Sequence, residues 1–359
     1  MLFDTLLPFF GILIALIVVH ELGHYITAKL TGVKVLEAGL GYPPRVWGFT
    51  YRGTIYSLNA LPLGGFVRLL GEEDPSDPES LAAKSRPVRL LVLVAGSAMN
   101  FLLPILLFAI AFMIPRDVPV GPNQIVEVLP DSPAAQAGLR PGDVVLAVDG
   151  DDVRNSEELG RQIRLNMGST IDMRILRPDN PEVPSVGQEL TVPVQSRFNR
   201  DGPTGIRITM PYFERIESDS YLPWEAVPKG WTATVETLIL AKNEVRSWFG
   251  GGGGPEFAGP VGIAQTTGEI VEQAGWRTLL EFTALLSINL AIINILPLPM
   301  LDGGRIAFVL LEIARRGKRI APEKEALVHL IGLAAMITLA VVITYFDILR
   351  IFEGESLLR

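Results

Sequence analysis

His20, Glu21 and His24 stand in the run Val19-His-Glu-Leu-Gly-His24, and no other run in the chain carries as much chemistry. On a helix, positions i and i+4 share a face, so both imidazoles can reach one metal ion. Glu21 then lies beside that ion, placed to take a proton from a water whose pKa zinc lowers to about 7. The competing reading is three polar residues at a fraying helix end. The surroundings favour a metal: the run lies within the apolar stretch Leu6 to Leu30, where ionisable side chains are costly and mark function.

Two histidines leave a catalytic zinc site short of its third protein ligand. Cysteine is absent, so disulfides and thiolate catalysis are excluded, and ligands must be His, Asp or Glu. The one remaining histidine, His329, opens another apolar stretch and is expected to face the interface or a neighbouring helix. Asp302 is the better candidate. It closes Asn294-Ile-Leu-Pro-Leu-Pro-Met-Leu-Asp302 and is followed by Gly303 and Gly304. Pro297 and Pro299 break a helix, and the glycines allow a tight turn. A carboxylate on a broken helix end in the bilayer needs a partner such as a metal. The competing role is a cap on the next short helix.

The elements that must position these residues are long and apolar. Of 359 residues, 48% are hydrophobic, and the mean hydropathy is +0.34. Four stretches can cross a ~30 Å hydrocarbon core as helices: Leu6 to Leu30, Leu90 to Ile114, Leu279 to Leu298 and Leu327 to Phe346. The first has no basic n-region, since Asp4 is the only charge before His20, and no small-residue cleavage site follows; it reads as a retained helix. Net charge is −8, which argues against a nucleic-acid partner.

Eight Lys/Arg lie between spans one and two (Lys29, Lys34, Arg45, Arg52, Arg68, Lys84, Arg86, Arg89) and six between spans three and four (Arg305, Arg315, Arg316, Lys318, Arg319, Lys324). Positive-inside logic puts both loops in the cytoplasm and both chain ends, with the segment from about Pro115 to Thr278, outside. That segment has a soluble-domain pattern. Gln124–Leu129, Val144–Val148, Thr170–Arg177, Glu189–Val194 and Gly205–Met210 read as strands and Ser156–Leu165 as a helix. Asp179–Pro184 is a turn-rich break. Trp224 to Phe249 reads as a helix, lying on the membrane surface or packed on the soluble domain, and Gly250 to Gly254 as a flexible joint.

His-Glu-Leu-Gly-His in the first span with Asn294-x-x-Pro-x-Pro-x-Leu-Asp-Gly in the third resembles the site-2 protease family of intramembrane zinc metalloproteases. The closest likeness is to its bacterial PDZ-containing branch, the regulator-of-sigma protease type. Pro62-Leu-Gly-Gly-Phe-Val-Arg68 resembles the family's membrane-associated β-hairpin, Gly96-Ser-Ala-Met-Asn100 its G-x-x-x-N, and Gly259-Pro-Val-Gly-Ile263 the short motif before span three. Ser132-Pro-Ala-Ala-Gln-Ala-Gly138-Leu-Arg-Pro-Gly-Asp143 with Val144 to Gly150 resembles bacterial PDZ domains, with Asp201 to Thr209 as the candidate groove strand. Two departures stand: Arg305 occupies the place of a histidine in many relatives, and there is room for one PDZ domain where some relatives have two.

The resemblance implies a polytopic α-helical membrane protein with about four transmembrane helices, a membrane-associated β-hairpin region and one inserted extracytoplasmic α+β PDZ domain. Residues 1–114 and 279–359 would be the two halves of the membrane core, 115–211 the PDZ domain, and 212–278 a linker with a surface helix and a glycine-rich joint. It implies His20, His24 and Asp302 as Zn2+ ligands and Glu21 as catalytic base. Asn294 and Asn289 would hold or polarise the substrate backbone, with Gly64, Gly65 and Phe66 also on the substrate side. Asn100 belongs to the motif or is a helix-packing polar residue. The implied substrates are single-span transmembrane proteins in the inner membrane, such as anti-sigma factors or signal-peptide remnants, cut near the cytoplasmic side. The strand-like stretch Ile55–Leu70 would accept the unwound substrate, and peptide C-termini would bind the PDZ groove, unless that domain is a steric cap. Two rivals remain: a silent PDZ-bearing scaffold, which has no need of three ligands, and a metal transporter, for which no repeated halves appear.

Overall fold

The computed structural model describes residues 2–179, 186–199, 202–250 and 258–354. The chain divides into two compact units: Met1–Ala111, Val227–Trp231 and Phe257–Arg359 in one, Phe112–Ala226 and Thr232–Glu256 in the other.

The first unit opens with α1 (Leu2–Leu30), which ends where Gly32 takes φ +71° and Val33 N–H returns to Ala28 O at 2.8 Å. That is a glycine-terminated helix closure. Strands β1 (Val35–Tyr51) and β2 (Thr54–Leu69) follow. Their turn, Arg52-Gly53, has both residues at positive φ, as a two-residue hairpin turn matching strand twist requires. Near the tip, Arg45–Tyr51 pairs with Thr54–Asn59; nearer the base, Val35–Leu40 lies between Ile55–Leu58 and Gly65–Leu69. Gly65–Leu69 is therefore an open edge. Buried Glu37 staples this small sheet by accepting from Arg45 (2.6 Å) and Arg68 (3.0 Å). Helix α2 (Arg86–Met113) completes the first half.

In the second unit, β3 (Arg116–Val120), β4 (Asn123–Val128), α3 (Pro133–Gln136), β5 (Val144–Val148), β6 (Asp151–Asp152), α4 (Ser156–Leu165), β7 (Thr170–Pro178), β8 (Gly187–Gln195), β9 (Ile206–Thr209) and β10 (Arg215–Asp219) follow in order. The main sheet runs β8-β7-β5-β4-β9 with β6 on β5; β3 and β10 form a separate ribbon. Alternation is clear on β7, where Ile171, Met173 and Ile175 are fully buried beneath Leu159 of α4 and Val194 of β8. Helix α4 starts on Asn155, whose side chain accepts from Glu158 N–H. Arg154 ties the ribbon to α4 by bonding Glu158 (2.6 Å) and Asp219 (2.7 Å).

Across 212–278, read above as linker, the chain forms α5 (Pro223–Ser247) and α6 (Pro260–Gln273). Of the helix expected over Trp224 to Phe249, the part from Thr232 on belongs to the sheet-bearing unit and packs on α4. Asn243 of α5 donates to the last carbonyls of α4, Arg164 (2.8 Å) and Leu165 (3.0 Å), and Glu236 pairs with Arg161. The expected joint beyond Gly250 and the break at 180–184 lie outside the described residues.

The first unit resumes with α6, α7 (Gly275–Ile295), α8 (Asp302–Ala314) and α9 (Pro322–Phe352). Gly262 N–H donates to the buried Asp347 of α9 at 2.8 Å, and a Cβ at Gly259 would stand 2.7 Å from the same carboxylate. The Gly259-Pro-Val-Gly run is therefore a docking surface for α9. Among the described residues, four helices are long and apolar enough to span a membrane: Thr5–Leu30, Arg86–Met113, Gly275–Ile295 and Pro322–Phe352. The third stops at Ile295, short of Leu298, because Leu296 precedes a proline and is extended (φ −64°, ψ 143°).

Helix α8 is held to α2 by one carboxylate. Buried Glu312 accepts from Arg89 (2.6 Å) and Arg86 (3.1 Å), and Arg319 stands at 3.3 Å. Burial pushes its pKa up, but the arginines outweigh burial and hold the carboxyl below its ordinary range. A depressed pKa contributes stability above the unfolded-state value and loses it as pH falls. Glu312→Gln, which leaves buried Arg89 unpaired, is expected to destabilise the protein by roughly 3 kcal/mol. Thermal unfolding in detergent should show a gap from wild type that is widest near neutral pH and closes below about pH 4; a gap independent of pH would place the effect in packing instead.

Candidate metal centre

Two glycines let α1 and α2 close on each other. A Cβ at Gly23 would overlap the Ala95 carbonyl, and one at Gly96 would overlap His24 Nε2 and lie 2.7 Å from His20 Cε1. With both side chains absent, His20 and His24 fit between the helices, each 8% exposed.

The imidazole rings are oriented from behind. His24 Nδ1 is 2.8 Å from the carbonyl of Val92, an acceptor, so Nδ1 carries the proton and Nε2 keeps its lone pair. His20 Nδ1 is 3.3 Å from the side-chain amide of Asn100. A His20 that ligates through Nε2 must also donate from Nδ1, so its partner is the amide oxygen, and the two amide atoms are distinguished by this network. Asn100 is fully buried, and its backbone carbonyl accepts from Ser287 of α7 at 2.8 Å.

Asp302 arrives from the opposite side as the first residue of α8. Its Oδ2 is 3.1 Å from both His20 Nε2 and His24 Nε2, and the two nitrogens are 3.2 Å apart. Asp302 is the first residue of α8, whose start carries no side-chain cap hydrogen bond, so its carboxylate faces the imidazoles rather than capping the helix. The glycines after it act differently from the tight turn expected. Gly303 and Gly304 are helical, and a Cβ on either would overlap the carbonyl of Leu296 or Leu298, so they permit close approach of α8 to the preceding chain. The left-handed residue of the turn is Met300, at φ +78°.

Glu21 lies one residue beyond His20 on α1, on the side of the helix that faces β2. Gly65 lies beside it, in ordinary contact range: a Cβ there would sit 3.9 Å from Glu21 Cγ. Gly64, at φ +130°, lies against Ile17, whereas the Phe66 ring covers Gly39 and stacks on Tyr42. The structure thus brings Gly64 and Gly65 beside the helix of Glu21 and turns Phe66 away from it. Asn294 is half-buried in the last turn of α7 and Asn289 exposed earlier on that helix; neither hydrogen-bonds to the four central residues. His329 is outside the triangle. Sequence reasoning missed the Val92 carbonyl, which no side chain signals, and left open the role of Asn100, for which the spacing from Gly96 was the available cue.

The donor set fits zinc. A tetrahedral ion with ligands at about 2.0 Å needs ligand atoms about 3.3 Å apart, and the triangle's edges of 3.1, 3.1 and 3.2 Å match one face. Two nitrogens and one anionic oxygen are the ligand types zinc takes in open catalytic sites.

Gly96→Ala is expected to expel the metal, because the added methyl occupies the place of the His24 ligand atom. Asn100→Leu should weaken zinc about 10- to 100-fold, as loss of a ligand's hydrogen-bond partner commonly does. Zinc content and chelator competition measure both; stoichiometric zinc in Gly96→Ala would mean the helices part freely and the crossing is not what sets the site.

The match to known proteins covers most of the chain. The Peptidase family M50 model matches residues 8–339. A Clostridium perfringens chain carrying the name zinc metalloprotease is 34% identical over 346 residues, covering 93% of this chain and 96% of that one. Zinc metalloprotease RasP of Oceanobacillus iheyensis is 30% identical over 427 residues, covering 96% and 97%. RasP of Geobacillus kaustophilus is 28% identical, covering 97% and 99%. A buried His-His-Asp triangle beside a glutamate, in a unit of membrane-length helices, is what a zinc peptidase of this kind requires, and the chain belongs to peptidase family M50, the site-2 proteases, multi-pass membrane zinc metalloproteases.

Proposed function

We propose that this enzyme cuts single-span membrane proteins within the bilayer, with His20, His24 and Asp302 holding zinc and Glu21 as the base. The observation that carries the reading is the ligand triangle, 3.1–3.2 Å on each edge, on helices whose apolar length suits a membrane. Bound zinc supplies Lewis acidity at the open fourth position. Glu21 takes the proton of the attacking water and returns it to the leaving amine. Its place one residue from His20 keeps it on the ligand helix, beside the Gly64-Gly65 backbone of β2.

A helical substrate hides its carbonyls in hydrogen bonds and must unwind to be cut. The open edge Gly65–Leu69 offers backbone partners for the unwound segment beside Glu21. Asn294, at the end of α7, and Asn289 are proposed to hold the substrate backbone. The loop charges support both chain ends and the sheet-bearing unit lying outside and the active site toward the cytoplasm. That unit is proposed to be a PDZ domain. Its β9 pairs with β4 alone and so offers a free edge for a peptide C-terminus, and its insertion between α2 and α7 suits a filter against substrates with bulky external parts.

Glu21→Gln should retain zinc and lower cleavage of a single-span substrate by about 10² to 10⁴, while Asp302→Ala should lose both metal and activity. Turnover by zinc-loaded Glu21→Gln at the wild-type rate would remove Glu21 from the mechanism; unchanged zinc in Asp302→Ala would require another ligand. Deleting about Gly121 to Met210 should let the enzyme cut a substrate that wild type accepts only after external trimming. If the deletion merely slows the trimmed substrate, recognition rather than filtering is the unit's role.

A further inference from the structure

The chain between α7 and α8 places Asp302, yet it supplies few bonds of its own. Pro297 and Pro299 have no N–H to give. Met300 adopts φ +78°, a conformation a β-carbon disfavours and one that persists only when its surroundings hold it. Its N–H is bonded by a side chain 29 residues on: His329 of α9 accepts through Nδ1 at 2.9 Å.

The fit around that bond is close. His329 is 8% exposed, with the Phe308 ring of α8 at 5.6 Å. One turn along α9, Gly332 faces Pro299: a Cβ there would overlap Pro299 Cβ and lie 3.0 Å from its carbonyl. A backbone N–H can only donate, so Nδ1 is the unprotonated nitrogen and Nε2 carries the proton. Nε2 has no partner among the described residues, so the polar work of this imidazole is the bond to Met300.

We infer that His329 is a positioning residue for the Asp302 ligand, acting through the Met300 backbone. Met300 is two residues before Asp302, and the carboxylate must lie 3.1 Å from two imidazoles at once. A site of this kind tolerates misplacement of only about 0.5 Å. Without the acceptor, the Met300 N–H loses its partner and the left-handed turn loses a bond that holds it. The inference rests on Asp302 as a zinc ligand, which is tested separately.

The test uses the full-length protein in detergent and in liposomes, with His329→Phe, His329→Asn, Met300→Gly, the double variant His329→Phe/Met300→Gly, and Asp302→Asn as reference. His329→Phe should weaken zinc about 10- to 100-fold by chelator competition and, at saturating zinc, lower kcat with KM unchanged. His329→Asn, whose amide oxygen can accept from Met300, should restore most of both. Met300→Gly added to His329→Phe should restore part, because glycine takes the left-handed conformation freely. Nitrogen NMR of the wild-type ring should show the Nε2–H tautomer, a readout that holds even where His329→Phe folds poorly. Wild-type zinc affinity and kcat in His329→Phe, while Asp302→Asn loses zinc, would overturn the inference, as would an Nδ1–H tautomer. Unchanged zinc in Asp302→Asn would overturn the ligand reading and this inference with it.

Discussion

Two imidazole nitrogens and a carboxylate oxygen held 3.1–3.2 Å apart, a group that could hold a metal ion, cannot satisfy one another in a buried site. The two nitrogens facing each other can share one proton at most, and an unpaired charge or lone pair in an apolar interior costs several kcal/mol. A divalent cation removes that cost by engaging all three. The rest of the membrane unit can be understood as what it takes to keep these atoms converged. Two helices must approach until ordinary side chains would collide, which is why Gly23 and Gly96 lie at the crossing. Each imidazole must show its Nε2 inward, which is why an acceptor stands behind each Nδ1: the Val92 carbonyl and the Asn100 amide.

The third ligand comes from a different part of the chain and needs its own supports. Helix α8 begins at Asp302 and ends near Glu312, whose bonds to Arg86 and Arg89 fasten it to the helix that backs both histidines. Between these points Arg305 pairs with Glu72 just beyond β2. One short helix is thus pinned to α2 and to the chain leaving the small sheet. The same sheet presents its open edge beside Glu21. The proposed metal ligand, base and substrate-binding strand therefore share one set of supports.

The two units follow different physical rules. In the sheet-bearing unit, stability comes from an ordinary alternating core, with Ile171, Met173 and Ile175 turned inward beneath α4. Its surface is laced by ion pairs such as the Arg154 cluster, each of modest worth. In the membrane unit, large apolar side chains along α9 and α1 remain exposed because lipid is their solvent, and polar residues are spent on orientation: Asn100, Ser287, Asp347 and His329 each hold a backbone or a ligand in place.

Much was legible in the sequence, for a physical reason: hydropathy, helical spacing and strand alternation are local. Four apolar stretches announced the membrane-length helices found among the described residues, His20 and His24 one turn apart announced two imidazoles on one face, and a lone aspartate after two prolines announced the carboxylate that meets them. Strands β4, β5, β7, β8 and β9 followed from alternation and turn residues. Short, charged β3 and β10, which pair across about a hundred residues of chain, did not. Tertiary structure alone decided what depends on a backbone atom or on a distant approach. The Val92 carbonyl behind His24 leaves no trace in residue type. Asn100 was visible, but its partner 80 residues away was not. The glycines after Asp302 were visible too, yet the clash they avoid lies in the carbonyls of Leu296 and Leu298. His329 read as a histidine near an interface; that it holds the turn at Met300 was decided by where α9 comes to rest, because a hydrogen bond between a side chain and a backbone group is specified by position in space and not by the residues that bear it.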